Sequence, residues 1–213
     1  MPDLLEAHLT PDELKLWQSL DSPEKIQTYL NQTPYSPQDA DRSPLSVMRD
    51  HMAHCLDGGL FAAAALRRLG YPPLILDMQS NPGLDDDHVL AIYKIKAHYG
   101  AVAKSNFVGL RYREPIYRSL RELVLSYFED FYNLNGLKSL RFYTRPINLS
   151  VYDSLNWEWD DARLTVIEKR LKDLKLTTLI TPEMALGLLP VDNLSYQAGM
   201  LGTNLDGVYK PKV

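Results

Sequence analysis

The chain has 213 residues, with 23 Lys and Arg against 27 Asp and Glu and a formal net charge of −4. Hydrophobic residues make up 45% and charged residues 23%, as in an ordinary globular domain with room for a buried core. The single cysteine excludes a disulfide scaffold, a zinc ribbon and a CxxC redox protein, and the acidic balance argues against a general nucleic-acid binder while leaving room for a local basic patch.

The first twenty residues carry Asp3, Glu6, Asp12 and Glu13 and no apolar core segment, so no leader peptide is expected. The apolar stretch Leu60–Leu66 is far too short for a bilayer span, and the cytoplasm is the expected location. Thr10-Pro11-Asp12-Glu13 has the pattern of an N-cap, a first-turn proline and a capping glutamate, and Leu14, Trp17 and Leu20 then share one helical face. Ser22-Pro23 opens a second helix through about Leu30, and Ser43-Pro44 a third. The polar, proline-containing residues 31–43 between them predict a surface loop.

Cys55-Leu56-Asp57-Gly58-Gly59 runs into Leu60-Phe61 and four alanines, then Leu66-Arg67-Arg68-Leu69-Gly70. The alanines favour a helix, the arginines suit its negative end and Gly70 a left-handed cap. Alanine on every face predicts a central, buried helix with Cys55 at its N-terminal end. Strands follow at 74–78 and 88–95, with His98-Tyr99-Gly100 as a turn and 101–103 as a return strand. Pro115 is expected to open a long helix over 116–133 that ends at Gly136. An edge strand is expected at 140–143, an amphipathic helix at 160–175 and a short helix at 182–189, with an irregular tail from Val191. Helices, then strands, then helices give an α+β class with a small antiparallel sheet.

A helix N-terminus favours a thiolate and offers N–H groups to an oxyanion, so Cys55 is the candidate nucleophile. His88, opening a strand beside that helix, is the candidate general base, and Ser105 or Asn106 on the neighbouring strand would orient its ring. The plainer reading makes Cys55 a packing residue and His88 a strand terminus. His51, His54, Cys55 and His88 are a lesser metal option, weakened by the lack of a second thiol. Lys104, Arg111, Arg113, Arg118 and Arg121, interleaved with Tyr112 and Tyr117, form either an anion patch or a solvated face with ion pairs. Trp157 and Trp159 suit either a ligand-stacking site or, as the default, core or edge packing.

The run from Cys55 to Pro72, followed by His88, resembles the catalytic core of the transglutaminase-like, papain-like cysteine enzymes. The run from Gly100 to Phe107 with Leu110 to Pro115 is similar to a bacterial branch of that superfamily. The resemblance covers about residues 43–146 and implies one domain: a helical N-terminal part (1–42), a transglutaminase-like core (43–146) and a helical C-terminal extension (147–213). It implies a central helix on an antiparallel sheet, and amide hydrolysis or amine transfer through Cys55 and His88, without cofactor or metal, on a peptide or amide-containing small molecule. The family aspartate is expected near Ser105, but positions 100–110 hold no acid, so Asn106 or Ser105 is left as orienter. That departure keeps open a catalytically inactive binding module on the same fold. Neither a membrane partner nor a nucleic acid is expected.

Overall fold

Three N-terminal helices begin in the same way, with a hydroxyl N-cap followed by proline. α1 (Pro11–Ser19), α2 (Pro23–Gln32) and α3 (Pro44–Asp50) are capped by Thr10, Ser22 and Ser43. The proline ring presets φ where no N–H partner is required, and the hydroxyl accepts an orphan N–H of the first turn. Thr10 and Glu13 close a reciprocal capping box. The structure, a computed structural model, describes residues 4–38 and 40–211.

α4 (Cys55–Arg68) is the central helix, and every residue from Leu56 to Arg67 is buried. Its small residues allow the sheet to come close. A Cβ on Gly58 would stand 2.1 Å from Lys104 Cβ, and one on Gly59 2.7 Å from Val89 Cγ1. Arg67 is buried at the far end of the helix because Asp153 and Glu158 hold its guanidinium, at 2.7 and 3.2 Å. Gly70 then takes φ +90°, which a side chain would disfavour.

Among the described residues, seven antiparallel strands form one sheet in the order β4-β3-β2-β1-β5-β7, with β6 alongside β1. They are β1 (Leu74–Gln79), β2 (His88–Ile95), β3 (His98–Val102), β4 (Arg113–Tyr117), β5 (Phe142–Thr144), β6 (Ile147–Asn148) and β7 (Leu176–Thr178). Ile75, Val89, Ala91, Tyr93 and Val102 face α4 and the N-terminal helices. Leu76, Met78, Leu90, Ile92 and Ala101 face a second core, with Leu123, Val124, Tyr127 and Phe131. Successive side chains of a strand alternate between these two cores. The chain is thus a mixed α and β protein with an antiparallel sheet and helices, and no helix among the described residues is long and apolar enough to cross a membrane.

Several expectations are corrected. The turn after β2 falls on Lys96 and Ala97, both at positive φ, so His98–Gly100 belongs to β3. Residues 116–133 are not one helix: Pro115 sits in edge strand β4, where a missing N–H is tolerated, and α5 spans only Leu120–Leu125 behind its cap Ser119. The expected apolar stripe still packs, but Tyr127 and Phe131 reach the second core from turns. The expected edge strand at 140–143 is β5, an interior strand between β1 and β7. The helix expected over 160–175 begins as a 3-10 turn, with α6 at Leu164–Lys172. α7 (Pro182–Leu186) stops short, and the tail contains α8 (Asn193–Gly199) capped by Asp192.

Candidate functional site

The N-terminus of α4 is built around an imidazole. His54 is the N-cap, and its Nδ1 accepts the N–H groups of Leu56 and Asp57 at 3.2 and 3.5 Å. Asp57 returns the contact, accepting the His54 N–H at 3.0 Å and the Arg42 N–H at 2.7 Å. This is a capping box with histidine in place of serine or threonine. His54 Nε2 lies 3.4 Å from both Asp41 and Asp57. Asp41, His54 and Asp57 form a cluster compact enough for a metal ion. Asp57 and His54 Nδ1 already serve the cap, however, and the Arg42 guanidinium stands 3.8 Å from Asp57.

Cys55 follows at the first helical position, on the floor of a cleft of about 520 Å3. Its thiol donates to the Asp87 carbonyl at 3.9 Å, a bond that a thiolate would lose. Its backbone N–H is directed at the Tyr35 hydroxyl. Burial, and then the charges of Asp87 and Asp86, hold the thiol well above its ordinary pKa against the opposing Val89 N–H. Burial first, and then the charges of Asp87 and Asp86 in the same cleft, outweigh the pull of the helix dipole toward a thiolate.

His88 does not enter that cleft. β1 and β2 pair Asp77 with Val89 and Met78 with His88. Val89 packs on Gly59 of α4, whereas Met78 belongs to the second core, so the pleat sends His88 to the face away from Cys55. There it is 4% exposed and its Nε2 meets the Leu110 carbonyl at 2.8 Å. Burial pushes its pKa down to about 4, so the ring is neutral near pH 7 and donates to Leu110.

The expected orienting residues are occupied elsewhere. Asn106 donates to the carbonyls of Asn204 and Gly207 at 2.9 and 3.2 Å and accepts the Asn204 N–H at 2.8 Å, which ties down the C-terminal tail. Ser105 Oγ accepts the Phe107 N–H at 3.0 Å. The four expected catalytic residues are therefore not brought together: Cys55 lines the cleft, His88 lies on the opposite face of the sheet, and Ser105 and Asn106 line a second cavity. The histidine metal option is not assembled either, because His51 is exposed at the left-handed end of α3 and His88 lies beyond the sheet.

In place of an imidazole, the cleft presents carboxyl groups. Asp77 is 1% exposed; its Oδ2 accepts from Gln79 at 2.6 Å, while Oδ1 has no hydrogen-bond partner. Burial, and then the charge of Asp87, raise its pKa well above the carboxylate range. Asp87 is itself raised to about 6 by burial and by Asp86. Glu168 and Lys172 of α6, with Asp206 to Tyr209 of the tail, complete the walls. Sequence reasoning missed Asp77, although a lone carboxylate inside the apolar run Leu74-Ile75-Leu76-Asp77-Met78 was its signal.

No family model matches the chain, and no curated protein matches it. Among solved structures, Legionella pneumophila LapG is similar at 18% identity and a TM-score of 0.35, over 48% of this chain and 68% of that one. The EGTA-treated form of Legionella pneumophila LapG gives the same identity and TM-score over 67% of its length.

Proposed function

We propose that the chain is a binding module of transglutaminase-like architecture whose Cys55 cleft takes a cationic ligand without acyl transfer. The observation that carries this reading is the parity of β2, which turns Val89 toward Cys55 and His88 away from it. Acyl transfer requires a base within hydrogen-bond reach of the nucleophile, and the thiol here keeps its proton on a carbonyl. The ligand chemistry follows from Asp77, whose open Oδ1 would be completed by an ammonium or guanidinium donor, a cation whose charge would offset the burial that otherwise keeps the carboxyl protonated. Asp41, Asp86, Asp87, Glu168 and Asp206 add to the negative field against Lys172, and Leu56, Val89 and Leu171 suit a methylene stem. A lysine- or arginine-bearing peptide, or a small diamine, has this form.

The competing reading is an acyl-transfer enzyme using Cys55, His88 and Asn106 or Ser105; the position of Cys55 at the head of the central helix favours it. Calorimetric titration with a lysine-bearing peptide and with 1,4-diaminobutane separates the two. Saturable binding that weakens about tenfold or more in Asp77→Asn is the expected result, the loss of one charge-assisted hydrogen bond. Hydrolysis or amine transfer on an amide substrate, abolished by Cys55→Ala, would overturn the binding-module reading. So would failure of both cations to bind.

A further inference from the structure

The basic cluster between Lys104 and Arg121 is not one patch. Arg113 is built into the fold, bonding Ser126 and the Gly109 carbonyl at 2.9 to 3.0 Å. Arg121 bonds the Leu179 carbonyl at 2.6 Å. Lys104 and Arg111 instead face a second cavity of about 280 Å3. Asn31 to Tyr35 and Ser105 form part of its wall, with Gly202 and Asn204 of the tail closing it.

Among the described residues, no Asp or Glu lines this cavity. Arg111 Nε is out of contact with solvent and meets no acceptor. Burial lowers the guanidinium's proton affinity, and no opposite charge among the described residues offsets it. Lys104 is 5% exposed and reaches the carbonyls of Leu30, at 3.0 Å, and Thr33, at the C-terminal end of α2. Two of its three N–H donors are thereby used. Burial, and then the neighbouring Arg111, push its pKa down to about 8, which still leaves it mostly charged near pH 7. Two cations therefore share one cavity without a counter-charge, in a chain of net charge −4. Leaving a half-buried cation unpaired is unfavourable, and an anion in the cavity relieves both cations at once.

We propose that this cavity binds a small oxyanion, a phosphate or carboxylate group held by the Arg111 guanidinium fork and the remaining Lys104 N–H. The planar fork matches the two-oxygen edge of either group. The volume admits one such head group with a short stem. The site is separate from the Cys55 cleft and does not depend on what that cleft binds.

The experiment is a calorimetric titration with inorganic phosphate, with glycerol phosphate and with acetate, at ionic strength held constant with sodium chloride. Wild type is compared with Arg111→Gln, which removes the charge. Lys104→Met is a second variant, used only if circular dichroism shows that it folds. The expected result is saturable binding of at least one oxyanion, weakened about tenfold or more in Arg111→Gln. A response to the two phosphates assigns a phosphate ligand, and a response to acetate a carboxylate one. No binding above the chloride control, or equal affinity in Arg111→Gln, would overturn the proposal.

Discussion

Asp87 and His88 are consecutive in the chain and serve opposite sides of the sheet. The segment His88-Val89-Leu90-Ala91-Ile92-Tyr93 is buried throughout, so its sequence shows a strand without showing which alternate residues meet α4. That is why a strand-opening histidine could be identified while its direction could not. The direction comes from Gly59, against which Val89 packs, and from the Met78 pairing. Titration of these neighbours is expected to pull stability in opposite senses. The His88 pKa is lowered to about 4, so the unfolded chain binds the proton more readily and stability rises as pH passes from about 4 to the ordinary value near 6.5. The Asp87 pKa is raised to about 6, so the folded chain holds the proton more readily, and stability falls as pH rises from the ordinary carboxylate value to about 6. The His88 contribution cancels between wild type and Asp87→Asn. Urea midpoints of the two are expected to approach each other near about pH 4 and to separate in favour of Asp87→Asn up to about pH 7. A difference that is constant with pH would contradict the burial of Asp87.

α4 was the most legible element because its signals agree: the alanine run, the terminal arginines and Gly70 all specify one buried helix. Its cap was less legible, since histidine is a rare N-cap and the role of His54 depends on Asp57 reaching back. Replacing His54 with Ala is expected to cost about 1 kcal/mol in urea denaturation, the usual worth of a cap. Gly58→Ala carries a sharper expectation. Helix propensity alone favours Ala by about 1 kcal/mol, but the new methyl would sit 2.1 Å from Lys104 Cβ. Destabilisation by about 3 kcal/mol, near the upper end for overpacking, is expected, and any gain in stability would contradict the close approach of α4 to the strand. The span 116–133 reads as one helix for a related reason: its apolar spacing suits a helix, but the edge position that Pro115 takes in β4 depends on pairing with β3, and the Ser119 cap, a local bond to the Glu122 N–H, restarts a short helix only at Leu120.

At the scale of the whole molecule, the C-terminal tail ties the two cavities together. Asp206 to Tyr209 wall the Cys55 cleft, Gly202 and Asn204 wall the Lys104–Arg111 cavity, and Asn106 holds the tail between them. The tail has no apolar period, so sequence alone could not show where it lies. Asn106→Ala removes its three anchoring hydrogen bonds and is expected to speed limited proteolysis around residues 200–211 severalfold. An unchanged cleavage rate would contradict that anchoring. The most direct test of the Cys55 cleft is the rate of iodoacetamide alkylation at Cys55 as a function of pH, in wild type and in His88→Gln, which keeps an N–H for the Leu110 carbonyl. The expected rate climbs only above the ordinary thiol pKa of about 8.5, with the same profile in both proteins. An inflection below that value in wild type that shifts in His88→Gln would contradict the separation of Cys55 from His88 and restore the acyl-transfer reading.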